Sequence, residues 1–185
     1  FFPMLFDKID PNVFQDKRQL FSEFWDFKRE NSAFLGTQFH LNQEKKHEKN
    51  GFIINPFTEE KFKLITHNKI FDNESVVYNL KDLEDGAYSE ILLFDLEVGV
   101  AGQVDELFVK TIKKKKNIWI NDSKTNEEKP DKSNMQKAYP PLDELDNCKH
   151  NKYSMQLSSY AYILERAGCV IQDLAYTFYK DYNEE

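Results

Sequence analysis

Between Tyr88 and Thr125 the chain carries three runs dense in β-branched and aromatic residues: YSEILLFDLE, GVAGQVDELFVKTI and NIWINDSKT. Only Glu97-Val98-Gly99 and the lysine run Lys113 to Lys116 separate them. Such residues favour the pleated, half-buried strand, and connections this short restrict the arrangement to an antiparallel meander, with KKKKN as its second turn. A sheet of this kind needs apolar cover, and the flanking sequence offers helices to provide it. From Asp16 to about Lys49, Phe21, Phe24, Trp25 and Phe27 form an apolar stripe, and Gly36-Thr37 is expected to split the stretch into two helices. Asp72 to Asp85 reads as a short helix capped by Asp72 or Asn73, with Val76, Val77 and Leu80 at helical spacing. Tyr153 to Arg166 is the strongest helical signal, ended by Gly168, and VIQDLAYTFYK follows as a last strand. The runs FIINPF and FKLIT, between Gly51 and Ile70, are strand-like but have no clear place in the sheet.

This order of elements predicts an α/β (α+β mixed) fold, a central mixed β-sheet of about four to five strands flanked by helices. With 185 residues, 40% of them hydrophobic, one core is expected in a single domain over residues 1–185. Residues 1–35 form a helical extension and 126–151, polar and proline-containing, a long loop insertion. No stretch approaches the roughly 20 consecutive apolar residues of a membrane span, and FFPMLFDKIDPNVF lacks the pattern of a secretory signal. A soluble, cytoplasmic protein with no membrane partner is therefore expected. Two cysteines, Cys148 and Cys169, are too few for a zinc ribbon or an all-cysteine iron–sulfur site. A net charge of −7 argues against non-specific coating of nucleic acid, but it leaves room for a carboxylate-rich metal site beside local basic patches. Lys110 with Lys113 to Lys116 is one such patch, and Lys45, Lys46 and Lys49 form another.

Chemistry is concentrated in four local patterns. Gly36-Thr37-Gln38-Phe39-His40 is followed by Glu44, which shares a helix face with His40. Ala101-Gly102-Gln103-Val104-Asp105 sets a carboxylate inside an apolar strand. Asp122-Ser123-Lys124 closes the next strand with Asp122 and Lys124 on one face. Gln156 and Tyr160 lie one turn apart on the last helix. If the chain reverses near Lys113 and Lys114, Asp105 and Asp122 come to lie side by side, and like charges so placed call for a cation between them. Carboxylate oxygens suit Mg²⁺ or Mn²⁺, and a neighbouring lysine can orient an attacking water.

This ordered set resembles the PD-(D/E)XK nuclease superfamily, and most closely its RecB-like exonuclease branch. The shared features are a helix histidine (His40), Gly-x-x-Asp (Gly102, Asp105), Asp-x-Lys (Asp122, Lys124) and Gln-x-x-x-Tyr (Gln156, Tyr160), with Glu90 matching an acidic residue on the first strand. The resemblance covers about Gly36 to Lys180, and the PPLDELDNCKHNKY stretch is similar to a loop of some phage and large-virus exonuclease-like members. It implies a restriction-endonuclease-like core and a metal-dependent DNA exonuclease acting in DNA processing, recombination or repair, with DNA and a helicase or other recombination protein as partners. It implies metal ligation by His40, Asp105, Asp122 and the Ser123 carbonyl, and a catalytic role for Lys124 beside Asp122, Asp105 and Glu90, with Glu90 holding a second ion or water. Gln156 and Tyr160 are expected to contact substrate or brace the site, and Lys113 and Lys114 to contact the strand. Two other readings stand beside this one. His40, Glu44 and His47 share a helix face that could hold zinc, and the fold could survive as a catalytically silent nucleic-acid- or protein-binding module.

Overall fold

A computed structural model of the chain describes residues 11–66, 83–125 and 136–179. The chain divides into two compact units, residues 1–39 and 40–185. Helix α1, Pro11–Asn50, belongs to both. It runs unbroken through Gly36, contrary to the expected break. A single helical glycine costs only about 1 kcal/mol against alanine, and Thr37 turns its hydroxyl back to donate to the Ala33 carbonyl at 3.0 Å, satisfying itself within the helix. In the first unit, Phe21, Phe24, Trp25 and Phe27 are all exposed.

The second unit begins with the last turns of α1 and the hairpin β1 (Phe52–Ile54) and β2 (Lys61–Lys63). This hairpin is the place of the two strand-like runs that the sequence left unassigned. The helix expected over Asp72 to Asp85 falls almost wholly outside the described residues. Next come β3 (Gly86–Asp95), β4 (Val100–Ile112) and β5 (Lys115–Lys124), antiparallel in order, as the spacing of the three runs predicted. Helix α2, Lys149–Arg166, carries the chain across so that β6 (Val170–Phe178) can pair parallel to β5. Parallel neighbours require such a crossover. The protein is thus an α+β fold whose central sheet, β3-β4-β5-β6 among the described residues, is mixed and flanked by helices. No helix among the described residues is long and apolar enough to cross a membrane.

Local chemistry fixes the connections. The β4–β5 reversal is a two-residue turn with both central residues left-handed, Lys113 at φ 51° and Lys114 at φ 64°. That geometry matches the twist of the strands, although asparagine and glycine adopt it more readily than lysine. Helix α2 ends as expected at Gly168, φ 89°. There the amide of Gly168 donates to the Glu165 carbonyl and that of Cys169 to the Leu164 carbonyl, which satisfies the last free acceptors of the helix. One layer of core lies between the sheet and α2, with Leu107, Val109, Ile118 and Ile120 against Leu157, Tyr160, Ile163 and Leu164. Another lies under the hairpin, with Ala87, Phe108 and Trp119 against Ile53 and Phe62.

Candidate metal centre

Strand register brings the acidic residues into line. The pairs Ser89–Glu106 and Ile91–Val104 leave Glu90 beside Asp105, and the pair Glu106–Asn121 makes Asp105 and Asp122 the next neighbours across β4 and β5. Glu90, Asp105 and Asp122 therefore form one row across adjacent strands. The alternation of the sheet slips at this row. Toward the α2 core β3 turns Tyr88 and then Ile91, while β4 turns Leu107 and then Val104, so two residues intervene on each strand instead of one. Glu90, at φ 56°, sits at the slip. As a result the consecutive acids Asp105 and Glu106 both meet side chains of α1. Nδ1 of His40 lies 3.3 Å from Glu90 Oε1 and 3.6 Å from Asp105 Oδ1, and one heptad further on, Nε2 of His47 lies 3.5 Å from Glu106 Oε1.

His40, Glu90 and Asp105 each offer one ligand atom within 4.8 Å of the other two. Ligands of a small divalent ion at about 2.1 Å lie at most about 4.2 Å apart, so the trio fits such an ion after closing by about half an ångström. The donor set also suits the ion, since two carboxylates and an imidazole are hard or borderline ligands. Burial, and then the neighbouring Asp122, pushes the Asp105 carboxyl up to about 7. His40 is raised by its hydrogen bond to Glu90, against the effect of burial. A divalent cation would relieve both perturbations at once, because each arises from negative charge crowded out of water.

Asp122 stands beside the trio but is turned to another partner. Its buried carboxylate is paired with the Lys124 ammonium, and burial raises its pKa against the pull of that lysine. Ser123 reaches the cluster through its amide, which donates to Asp105 Oδ2 at 2.6 Å. That bond continues the β4–β5 ladder through a side chain and fixes the Asp105 carboxylate. Lys124 also donates to Gln156 Oε1 at 3.1 Å, and Gln156 Nε2 donates to Tyr160 Oη at 2.7 Å. Tyr160 donates in turn to the Gln103 carbonyl at 2.7 Å, and Gln103 Nε2 donates to Glu90 Oε2 at 2.9 Å. The chain of contacts closes a loop from the lysine back to the acidic row, with Gln156 and Tyr160 as its braces. Gly102 makes room for it. A Cβ there would lie 2.4 Å from Cε1 of Tyr160, well inside ordinary contact.

The remaining expected residues lie elsewhere. Lys113 and Lys114 are exposed at the β4–β5 turn, eight residues up the strand from Asp105, which is about 26 Å at about 3.3 Å per residue. The zinc face is not assembled. Among the described residues the one trio placed to hold a metal ion is His40, Glu90 and Asp105, and His47 faces Ser89 and Glu106 instead. Sequence reasoning passed over Gln103, although it lies inside the quoted strand pattern, and also the polar layer of His47, Glu106 and Asn121. Asn121 donates to Glu106 Oε2 at 2.9 Å and accepts from Thr177 at 2.7 Å. It also passed over Tyr153, whose ring lies under the Lys124 ammonium. The signal was present, since Tyr153 shares a helix face with Gln156 and Tyr160. No protein-family model matches the chain, and no curated protein or solved structure shows significant similarity to it.

Proposed function

We propose that the chain is a divalent-metal-dependent DNA nuclease with a restriction-endonuclease-like core, of the PD-(D/E)XK kind and nearest to its RecB-like exonuclease branch. The observation that carries this reading is the row of Glu90, Asp105 and Asp122 under His40, with Lys124 held at its end. Carboxylates and an imidazole at one end, and an ammonium at the other, are what phosphodiester hydrolysis asks of a protein: sites for cations, and a positive group to hold a water and spread phosphate charge.

His40, Glu90 and Asp105 would hold Mg²⁺ or Mn²⁺, with Asp122 and the Ser123 carbonyl completing the set. Such an ion would supply Lewis acidity at the phosphate and lower the pKa of water toward neutrality. Lys124 would orient an attacking water in line with the P–O3′ bond. The water oxygen bonds to phosphorus as the bond to O3′ breaks, one water proton leaves to solvent, and O3′ takes one up, giving a 5′-phosphate and a 3′-hydroxyl. Gln156 and Tyr160 keep Lys124 registered against the acidic row. Lys113 and Lys114, far up the hairpin, contact the strand at a distant phosphate. DNA is the substrate, and a helicase or another recombination protein is the partner class.

The test is incubation with end-labelled linear and circular DNA, single- and double-stranded, in Mg²⁺, Mn²⁺ or EDTA, beside Lys124→Ala. Metal-dependent loss of linear DNA, with circles spared and the variant reduced by at least about a hundredfold, is the expected outcome. Cutting of circles redirects the proposal to an endonuclease, and 3′-phosphate ends refute the mechanism. No cutting, with Mn²⁺ still bound at His40 and Asp105, would make the protein a binding module.

A further inference from the structure

Beyond Asp122 and Gln156, the Lys124 ammonium meets an aromatic cluster to which the proposed chemistry gives no part. Its Nζ lies 4.8 Å from the centroid of the Tyr153 ring. That ring is set edge-to-face against Tyr176, with centroids 5.5 Å apart and planes at 66°. Tyr176 is fixed in its turn, its hydroxyl 2.8 Å from Nδ1 of His150 and its ring edge-on to the imidazole. The topology makes the cluster a continuation of the site. Tyr176 pairs with Asp122 across β5 and β6, which extends the row of Glu90, Asp105 and Asp122 by one strand. Helix α2 lowers Tyr153 onto it from the position one turn before Gln156.

A lysine side chain is a flexible stem with many rotamers, and two polar partners on one side do not define its remaining freedom. The face of a phenol ring attracts a cation through its quadrupole, and the Tyr153 ring is braced by Tyr176, which His150 holds in turn. We infer that Tyr153 is a positioning residue for Lys124, its ring face holding the ammonium between Asp122 and Gln156. The kinetic consequence rests on the reading of Lys124 as the catalytic lysine, whereas the contact itself does not.

The two are separated by measuring both. In protein labelled with ¹³C at lysine Cε, with Lys124→Gln identifying the resonance, the Lys124 ε-methylene protons should lie upfield of ordinary lysines in the wild type and in Tyr153→Phe. They should return to the ordinary position in Tyr153→Leu. In the same preparations kcat should be close to wild type for the phenylalanine variant and about tenfold lower for the leucine variant, with Mn²⁺ affinity unchanged. An upfield shift that persists in Tyr153→Leu, or a leucine variant that turns over like the wild type, overturns the inference. If the wild type cuts no DNA the nuclease reading fails, and the resonance positions still decide the contact. Should Tyr153→Leu fail to fold, Tyr153→Gln takes its place, and an undiminished Lys124 shift in that variant counts equally against the role.

Discussion

Replacing Gly102 by alanine should destabilise the protein, although alanine in a strand interior is ordinarily better than glycine by about 0.5–1 kcal/mol. The sign is reversed by one ring. The added Cβ would lie 2.4 Å from Tyr160 Cε1 and 3.2 Å from Cζ and Oη, where ordinary contact begins near 3.4 Å. Tyr160 is buried in the core between α2 and the sheet, where a rigid ring shifts only by moving its neighbours. Overpacking of this kind costs about 1–3 kcal/mol. The displaced hydroxyl also loses its bonds to the Gln103 carbonyl and from Gln156, each worth about 1 kcal/mol. The expected loss is about 3 kcal/mol, or about 9 °C in Tm for a chain of this size. Thermal and urea unfolding of Gly102→Ala, Tyr160→Leu and the double variant form the assay. In the leucine background the alanine substitution should be neutral or stabilising, giving a coupling of about 3 kcal/mol. An equal cost in both backgrounds would refute the argument, because the penalty would then not come from the ring.

Two further outcomes follow from the same geometry. Asp105, with a folded-state pKa of about 7 set by burial and by Asp122, binds more protons folded than unfolded between about pH 4 and 7; its contribution to metal-free stability is therefore fully present below pH 4 and is lost as pH rises through 7. His40, also raised, acts in the same direction, so Tm in EDTA should fall from pH 5 to pH 7.5, saturating Mn²⁺ should cancel the fall, and Mn²⁺ affinity by calorimetry should drop by up to about tenfold per pH unit below 7. Replacing Lys113-Lys114 by Asn-Gly relieves two left-handed lysines and should stabilise the hairpin by about 1 kcal/mol in urea unfolding, while lowering the magnitude of the salt slope of DNA binding by about 2 if both lysines touch phosphates.

The strands were legible because their signal is local: β-branched and aromatic runs with short turns left little choice, and counting back from the lysine turn was enough to set Asp105 beside Asp122. The ends of α2 were partly legible. Gly168 marked its stop, while its start at Lys149 lies four residues before the expected Tyr153, because Cys148 offers no side-chain cap and Asn151 and His150 carry no apolar period. Gly36 misled, since a glycine inside a helix looks the same in sequence as one that ends it. What could not be read was the pairing of side chains across the slip. A strictly alternating strand sends Asp105 and Glu106 to opposite faces, and no local rule marks the glutamate at which that alternation fails.

That glutamate ties the fold to its chemistry. Glu90 is a ligand candidate and also a non-glycine residue in left-handed backbone, a conformation that costs an L-residue about 1–2 kcal/mol. Glycine would remove the strain, and the strand would keep its slip. Glycine would also remove the carboxylate that meets His40 and accepts from Gln103. The residue that would fold best at this position is thus one that takes a carboxylate out of the row, and backbone strain held at such a place is characteristic of functional sites. The slip itself has a second effect, since it turns Asp105 and Glu106 toward histidines seven residues apart on one helix face. His47, with Ser89, Glu106 and Asn121, anchors α1 one heptad beyond His40, so the helix that brings the imidazole to the acidic row is held by the same departure from regular strand geometry that created the row.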